Sequence, residues 1–398
     1  MAILAVNAGS SSLKFSLHPL DPRQAGQVLP SVLTGVFQGL EPCGTPEVSW
    51  RQLGESRRQP LPPGEGEPFE RALRELRALI GRLSGLPELR AIAHRVVHGG
   101  AHYTRSVVVT PGVLRDLSAL NSLAPLHQPH NLAGIAAFWQ AFPELPQIAC
   151  FDTAFHTALP PQEREFALPQ ALAEQGVRRY GFHGLSYQYI SGELQKNSDR
   201  AQGRVLMAHL GNGASLCAAL GGRSCATTMG FSAVDGLMMG TRSGALDAGV
   251  LLYLLEQGWS HDRLQDMLYK QSGLLGVSGV SADMRKLRSD ASPSAQWAID
   301  LFTHRVVRES GALIACLQGL DVLAFSGGIG EHDAALRLQV CQALQWVGVR
   351  IDPKRNLQAC GDDIFPIHEP DSAVEIWVVP TDEGRVAAQQ AASLLRGH

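Results

Sequence analysis

The chain has no excess of positive charge. Its 398 residues carry 34 basic and 37 acidic side chains, a formal net charge of −3. Affinity for a phosphate backbone or an anionic bilayer rests on surplus cations, so this balance speaks against a nucleic-acid or membrane-surface binder. No apolar run approaches the ~18–20 residues needed to span a bilayer; the best candidate, "AGVLLYLLEQG", is too short. No basic segment precedes the apolar stretch Ala2–Val6, which predicts that there is no signal peptide. The seven cysteines are odd in number and contain no C-x-x-C. A disulfide framework or thiolate zinc site is therefore not expected, and free thiols in a reducing cytoplasm are.

What is present is a chain that is 45% hydrophobic and 18% charged. That is ample apolar material for a large core, and the length predicts two domains or three. Ala2–Val6 reads as a buried strand with Lys14–His18 as its hairpin partner. Pro19–Pro30 and Glu41–Pro68 are rich in Pro and Gly; the second, with "RRQPLPPGEGEP", reads as a surface loop. Arg71–Leu83 reads as a helix, with Leu73, Leu76, Ile80 and Leu83 on one face. Further strands are predicted at "AIAHRVVHGG", "QIACFD", Val205–His209, Leu216–Leu220, "DVLAF" and "EIWVV". Helices are predicted at "PHNLAGIAAFWQAF", Asp247–Glu256, His261–Gln271, Ala295–Leu317 and the C-terminal segment. The chain also echoes itself. "LAVNAGSSSLKFSL" and "LMAHLGNGASLCAAL" share a strand, a small polar loop and a second strand, which suggests a duplicated α/β domain with a cleft between the halves.

Three small-residue loops follow strands: Asn7–Ser12, "HLGNGAS" (His209–Ser215) and "SGGIGEH" (Ser326–His332). Backbone N–H groups in such turns can converge on a phosphate that bulky side chains would keep away. Taken alone, the first loop fits a tight hairpin as well as an anion cradle. It is not a Walker A loop, because a strand follows where a helix is required. The third runs into a predicted helix start, a second way to hold phosphate. Three loops together point to a nucleoside triphosphate, which needs several cradles. His94, His98 and His102 are evenly spaced, but they fall on a strand and a Gly turn, so a zinc reading is rejected.

The order "VNAGSSSLKFSL", "HRVVHGG", "FDTAFH", "YGFHGLS", "HLGNGAS", "GLMMGTRSGALD", "GGIGEH" and "TDEGR" resembles the motif series of the acetate kinase family across nearly the whole chain. The resemblance implies two ribonuclease-H-like, actin-type α/β domains with ATP in a cleft between them. Residues 1–150 with 385–398 would form the first, and 151–384 the second, carrying most nucleotide contacts. It implies a cytoplasmic homodimer that moves phosphate reversibly between ATP and acetate with Mg2+, Mn2+ being an alternative. A propionate or butyrate kinase is the nearest variant, and a non-catalytic actin/Hsp70-type nucleotide-binding protein the variant of another class. By the same resemblance Asp152, His183 and Arg242 are catalytic, and Arg95, Val97, Leu126 and Phe182 bind the carboxylic acid. Lys14, His209, Leu210, Gly211, Asn212, Gly213, Asp283, Met284, Arg285, Gly328, Ile329, Gly330, Glu331 and His332 meet ATP, and Asn7 and Glu383 the metal.

The residue chemistry suits the reaction. Two anionic reactants repel, and arginine forks match carboxylate and phosphoryl groups. Asp152 stands as acid/base by resemblance. An ordinary carboxylate with a pKa of roughly 4–5 is already ionised at pH 7, which favours orienting an arginine or a metal-bound water instead. Four positions depart from the commonest family pattern: Ala233, Ala245, Ala248 and His332. A smaller residue at 233 leaves room for one more methylene, worth only ~1–3 kcal/mol of discrimination.

Overall fold

The computed structural model describes residues 1–9, 11–23, 27–41, 44–125 and 127–396. It divides into two compact units, Met1–Ala154 with Asp382–His398, and Phe155–Thr381. Asp152 and Glu383, assigned above to the second domain, thus belong to the first unit. Asp152 continues a strand of the first sheet, and Glu383 opens a helix that packs on that sheet.

The first unit is built on strands β1 (Ala2–Ala8), β2 (Ser12–Pro19), β3 (Leu33–Gln38), β4 (Glu47–Gln52), β5 (Glu55–Pro60), β6 (Leu89–Val96), β7 (Val107–Val108) and β8 (Gln147–Phe151). They form one sheet in the order β5-β4-β3-β2-β1-β6-β8-β7. β1, β6 and β8 run parallel. β1 and β8 are buried almost throughout, as strands covered on both faces must be. Helices Pro68–Arg82, Gln128–Ala141 and Glu383–Arg396 pack around this centre. The first two send Leu73, Leu76 and Phe138 into a core with Leu4, Val6, Leu13 and Phe37.

One expectation fails here. The stretch Glu41–Pro68 is not simply a loop, because β4 and β5 lie within it. They pair antiparallel around Leu53 and Gly54, both at positive φ (49° and 87°), as a two-residue hairpin turn of matching twist demands. β4 sends Val48 and Trp50 into the core. β5, "ESRRQP", is a charged edge strand whose composition hides it from any apolar pattern.

The second unit carries β9 (Arg204–Leu210), β10 (Ala214–Leu220), β11 (Arg223–Thr227), β12 (Val322–Ser326), β13 (Phe365–Pro366) and β14 (Glu375–Val378), in the order β11-β10-β9-β12-β14-β13. β9 pairs antiparallel with β10 and parallel with β12, and β12 pairs parallel with β14. The first unit repeats this as β2-β1-β6-β8. The two echoing segments, β1–β2 and β9–β10, therefore hold the same place in their sheets. Helix Gly184–Asn197 packs on β9, and the long helix Pro293–Leu317 packs on β9 and β10. The latter starts with Pro293 in its first turn and the Ser292 hydroxyl accepting from the Ala295 N–H. Among the described residues no helix is long and apolar enough to cross a membrane. Six described cysteines are free thiols.

Candidate active site

Parallel strands deliver side chains to the edge where their carboxyl ends emerge. In the first unit that edge brings together Asn7 of β1, Arg95 of β6 and Asp152, just past β8. Asn7 is half-buried and pairs across the hairpin with Lys14, whose side chain is exposed. Arg95 grips Asp152 with both prongs. Its Nε donates to Oδ1 and Oδ2 at 3.1 Å, and its Nη2 to Oδ2 at 2.6 Å. Glu383, at the start of the last helix, places Oε2 3.4 Å from the same Nε. Asp152 is fully buried. Burial pushes its carboxyl up to about 6; Arg95 opposes this and the Glu383 carboxylate adds to it. Burial alone would lower Arg95, but the two carboxylates prevail and raise it. Burial thus takes Asp152 out of the ordinary carboxylate range, and the fold sets it directly against Arg95.

Nearby, the Val97 side chain is buried, and its N–H donates to Asn131 Oδ1 at 3.0 Å. Asn131 Nδ2 donates in turn to the Ala8 carbonyl at 2.8 Å, tying the ends of β1 and β6 to one helix. Leu126 lies outside the described residues. His94 is bonded to Gln147, and no group of three or more His, Cys, Asp or Glu among the described residues could hold a metal by itself.

In the second unit, "GFHGLS" turns into helix Gly184–Asn197. His183 sits before the first turn in a left-handed conformation, φ 59° and ψ 24°. The carbonyl of buried Phe182, just before it, accepts from His156 Nε2 at 2.9 Å. The His183 ring stacks on His209, with centroids 4.3 Å apart and planes at 29°. His183 Nδ1 bonds Ser215 Oγ at 2.8 Å, and His209 Nδ1 bonds Ser186 Oγ at 2.8 Å. Arg242 anchors one prong, Nη1, on the Ala233 carbonyl at 2.7 Å. A β-carbon added at Gly213 would lie 3.1 Å from Arg242 Nη2 and 3.3 Å from His183 Nε2. An imidazole and a guanidinium therefore converge on the bare face of this glycine. The Gly240 N–H donates to the Asn212 carbonyl at 2.9 Å, joining "GNG" to the "MGTRSG" loop.

Beyond the glycines opens a cavity of about 740 Å3, within the ~300–1,000 Å3 typical of small-molecule sites. Gly211, Asn212, Asp283, Met284, Arg285, Gly328, Ile329 and His332 line it. Asp283 caps helix Met284–Ser289, accepting from the Arg285 N–H at 2.9 Å, and the Arg285 guanidinium holds its carboxyl below the ordinary range. Four further residues that no sequence motif marks also line it: Ala282, Arg288, Asp333 and Ala334. Arg288 donates to both oxygens of Asp333, at 3.1 and 3.3 Å. No motif marks this pair, whose members are separated by 45 residues.

The other sequence-chosen residues stand apart from the cavity wall. Leu210 and Gly330 are buried. His209 is engaged by Ser186 and His183, and Lys14 lies in the first unit. Glu331 does something else. Its Oε1 accepts from the Gly327 N–H at 2.8 Å and the Thr381 N–H at 3.1 Å, capping the six-residue helix Gly327–His332 from within. The first donor of the expected phosphate-holding helix start is thereby already satisfied. Arg337, fully buried and unremarked in the sequence, clamps the other end of that helix through the Gly330 and Glu331 carbonyls at 2.9 and 2.7 Å.

A cavity of this size walled by Gly211 and Gly328, with an arginine and a histidine converging on Gly213 of the same loop, is the equipment of a phosphotransferase of the kinase class. The particular lineage follows from comparison with known proteins: the chain belongs to the acetokinase family, whose model matches residues 2–389. It is 48% identical over 399 aligned residues to an acetate kinase of Rhodopseudomonas palustris, covering 99% of this chain and 98% of that one. The fold matches a crystal structure of a propionate kinase from Francisella tularensis (TM-score 0.88, 36% identity, 98% of each chain). It also matches that of an acetate kinase from Porphyromonas gingivalis (TM-score 0.84, 34% identity, 99% of each).

Proposed function

We propose that this enzyme transfers the terminal phosphoryl group of ATP directly and reversibly to acetate. The observation that carries the reading is the convergence of His183 Nε2 and Arg242 Nη2 on the face of Gly213, beside the nucleotide-sized cavity. A phosphoryl group in flight spreads negative charge over its equatorial oxygens. Two fixed donors aimed at one bare glycine suit that charge without reorganisation. ATP takes the cavity, and Arg95 takes the carboxylate of the acid. Asp152 acts as the residue that holds Arg95 in place, since an anionic carboxylate nucleophile has no proton to lose.

Mg2+ is part of the proposal. A hard cation needs oxygen donors and keeps several waters, so one or two protein oxygens suffice. Asn7 and Glu383 are oxygen donors and fit that description. The bound ion would offset phosphate charge. A homodimer is proposed through helix Ala248–Glu256, which exposes Val250, Leu252, Tyr253 and Leu255, with Leu246 just before it. Two copies of such an uncharged apolar face can bury one another about a two-fold axis. The free thiols suit a reducing cytoplasm.

One observation favours a second reading, propionate. Ala233, whose carbonyl anchors Arg242, is a small residue at a position where the family pattern has a bulkier one. Hydroxamate trapping of acyl phosphate, with formate, acetate, propionate and butyrate, tests both readings. Acetate is expected to have the highest kcat/KM; a clear lead for propionate selects the second reading, and no product from any acid overturns both.

A further inference from the structure

We propose that Tyr187 and Ser215 are positioning residues that form a proton-ordered relay, holding His183 as the neutral tautomer with its proton on Nε2, aimed at Gly213. This rests on the reading of His183 as a donor to the transferring phosphoryl group. The proton count carries it. Tyr187 and Ser215 are both fully buried, so each hydroxyl proton requires an acceptor inside the protein. The Tyr187 hydroxyl meets Ser215 Oγ at 2.5 Å. Among the described residues Ser215 Oγ is the one hydrogen-bond partner of the phenol, and burial keeps the phenol protonated. The Tyr187 proton therefore goes to Ser215.

Ser215 then has one proton to give, and its other partner is His183 Nδ1 at 2.8 Å. To accept it, Nδ1 must be bare. The remaining ring proton stays on Nε2, the atom that faces Gly213. The opposite tautomer puts two protons between Ser215 and Nδ1 and leaves one without an acceptor. The backbone agrees with this assignment. His183 adopts the left-handed region that few non-glycine residues occupy, and such strain persists where surrounding structure over-determines it. Here the surroundings are the Ser215 bond, the stack on His209, and the His156 bond to the preceding carbonyl.

The test uses full-length enzyme labelled with 15N-histidine. Two-bond 1H–15N correlations report which ring nitrogen bears the proton, and the signals missing from His183→Asn assign the residue. Wild type is expected to show Nε2–H at His183, and Ser215→Ala a gain of Nδ1–H or imidazolium. Ser215→Ala is expected to lower kcat about 10-fold, as loss of one buried hydrogen bond implies, with the KM for ATP within about 2-fold. Tyr187→Phe should fall between, and the double variant should be no worse than Ser215→Ala, since the members act as one unit. The double variant also removes the orphaned phenol, so a folding defect in Ser215→Ala does not obscure the result. An unchanged Nε2–H signal with wild-type kcat in Ser215→Ala overturns the relay. If His183→Asn itself keeps wild-type kcat, the phosphoryl role of His183 fails instead.

Discussion

Gly213→Ala separates the chemistry of the site from the stability of the fold. The new methyl carbon would stand 3.1 Å from Arg242 Nη2 and 3.3 Å from His183 Nε2, tighter than ordinary contact. Both neighbours are side-chain ends, so each retreats by a few tenths of an ångström and the backbone stays put. Gly213 is not at positive φ, so alanine meets no conformational penalty. The stiffer unfolded chain returns ~0.4–1 kcal/mol, and the net stability change stays within about 1 kcal/mol. Activity has no such cushion. The methyl occupies the face on which the two donors converge, and misplacement by about 1 Å costs on the order of 100-fold. We expect kcat/KM to fall at least about 100-fold in the hydroxamate assay, with an almost unchanged urea midpoint. Gly192→Ala, in helix Gly184–Asn197 with open space around its added carbon, is the control. It should keep full activity and gain up to ~1 kcal/mol. A Gly213→Ala enzyme within about threefold of wild type in kcat/KM would refute the convergence of His183 and Arg242 on a phosphoryl group.

Asp152 has a folded pKa of about 6, above its ordinary 3.8. Its contribution to stability is thus fully present below about pH 4 and is lost as the pH rises through about 6, by about 3 kcal/mol, a slope that urea titration should find missing in Asp152→Asn. The Arg95 clamp is strongest when Asp152 is ionised, so wild-type kcat/KM for the acid should decline below about pH 6. Asp152→Asn should raise the KM for the acid and flatten that limb, whereas low kcat with unchanged KM would identify proton transfer instead. Arg288→Ala removes the bridge to Asp333 beside the cavity and should raise the KM for ATP about 10-fold with kcat little changed, measured by initial rates. Chelating divalent cations should abolish turnover and leave the melting temperature unmoved, because no residue cluster in the described fold depends on a metal.

The linear chain determined whatever acts over a few residues. Alternation and apolar runs mark the sheet centres, small residues mark the loops, and the motif order marks the family. The hairpin echo at β1–β2 and β9–β10 was legible because a strand, a turn and a strand are contiguous. The charged edge strand β5 was not legible, since its partner supplies the pattern that its own composition lacks. Only the tertiary structure decided which charges meet. Arg95 finds its two carboxylates 57 and 288 residues away, because parallel strand order and a returning helix bring all three to one edge. Glu331, chosen as a nucleotide contact, turned out to cap its own helix, a choice settled by the nearest unsatisfied N–H. Tyr187, Arg288 and Arg337 lie in no motif, and Ser215 closes "HLGNGAS" without its partners being readable there. Their roles come from burial, which forces every proton and charge to find a partner through space, and partners through space are set by packing rather than by spacing along the chain.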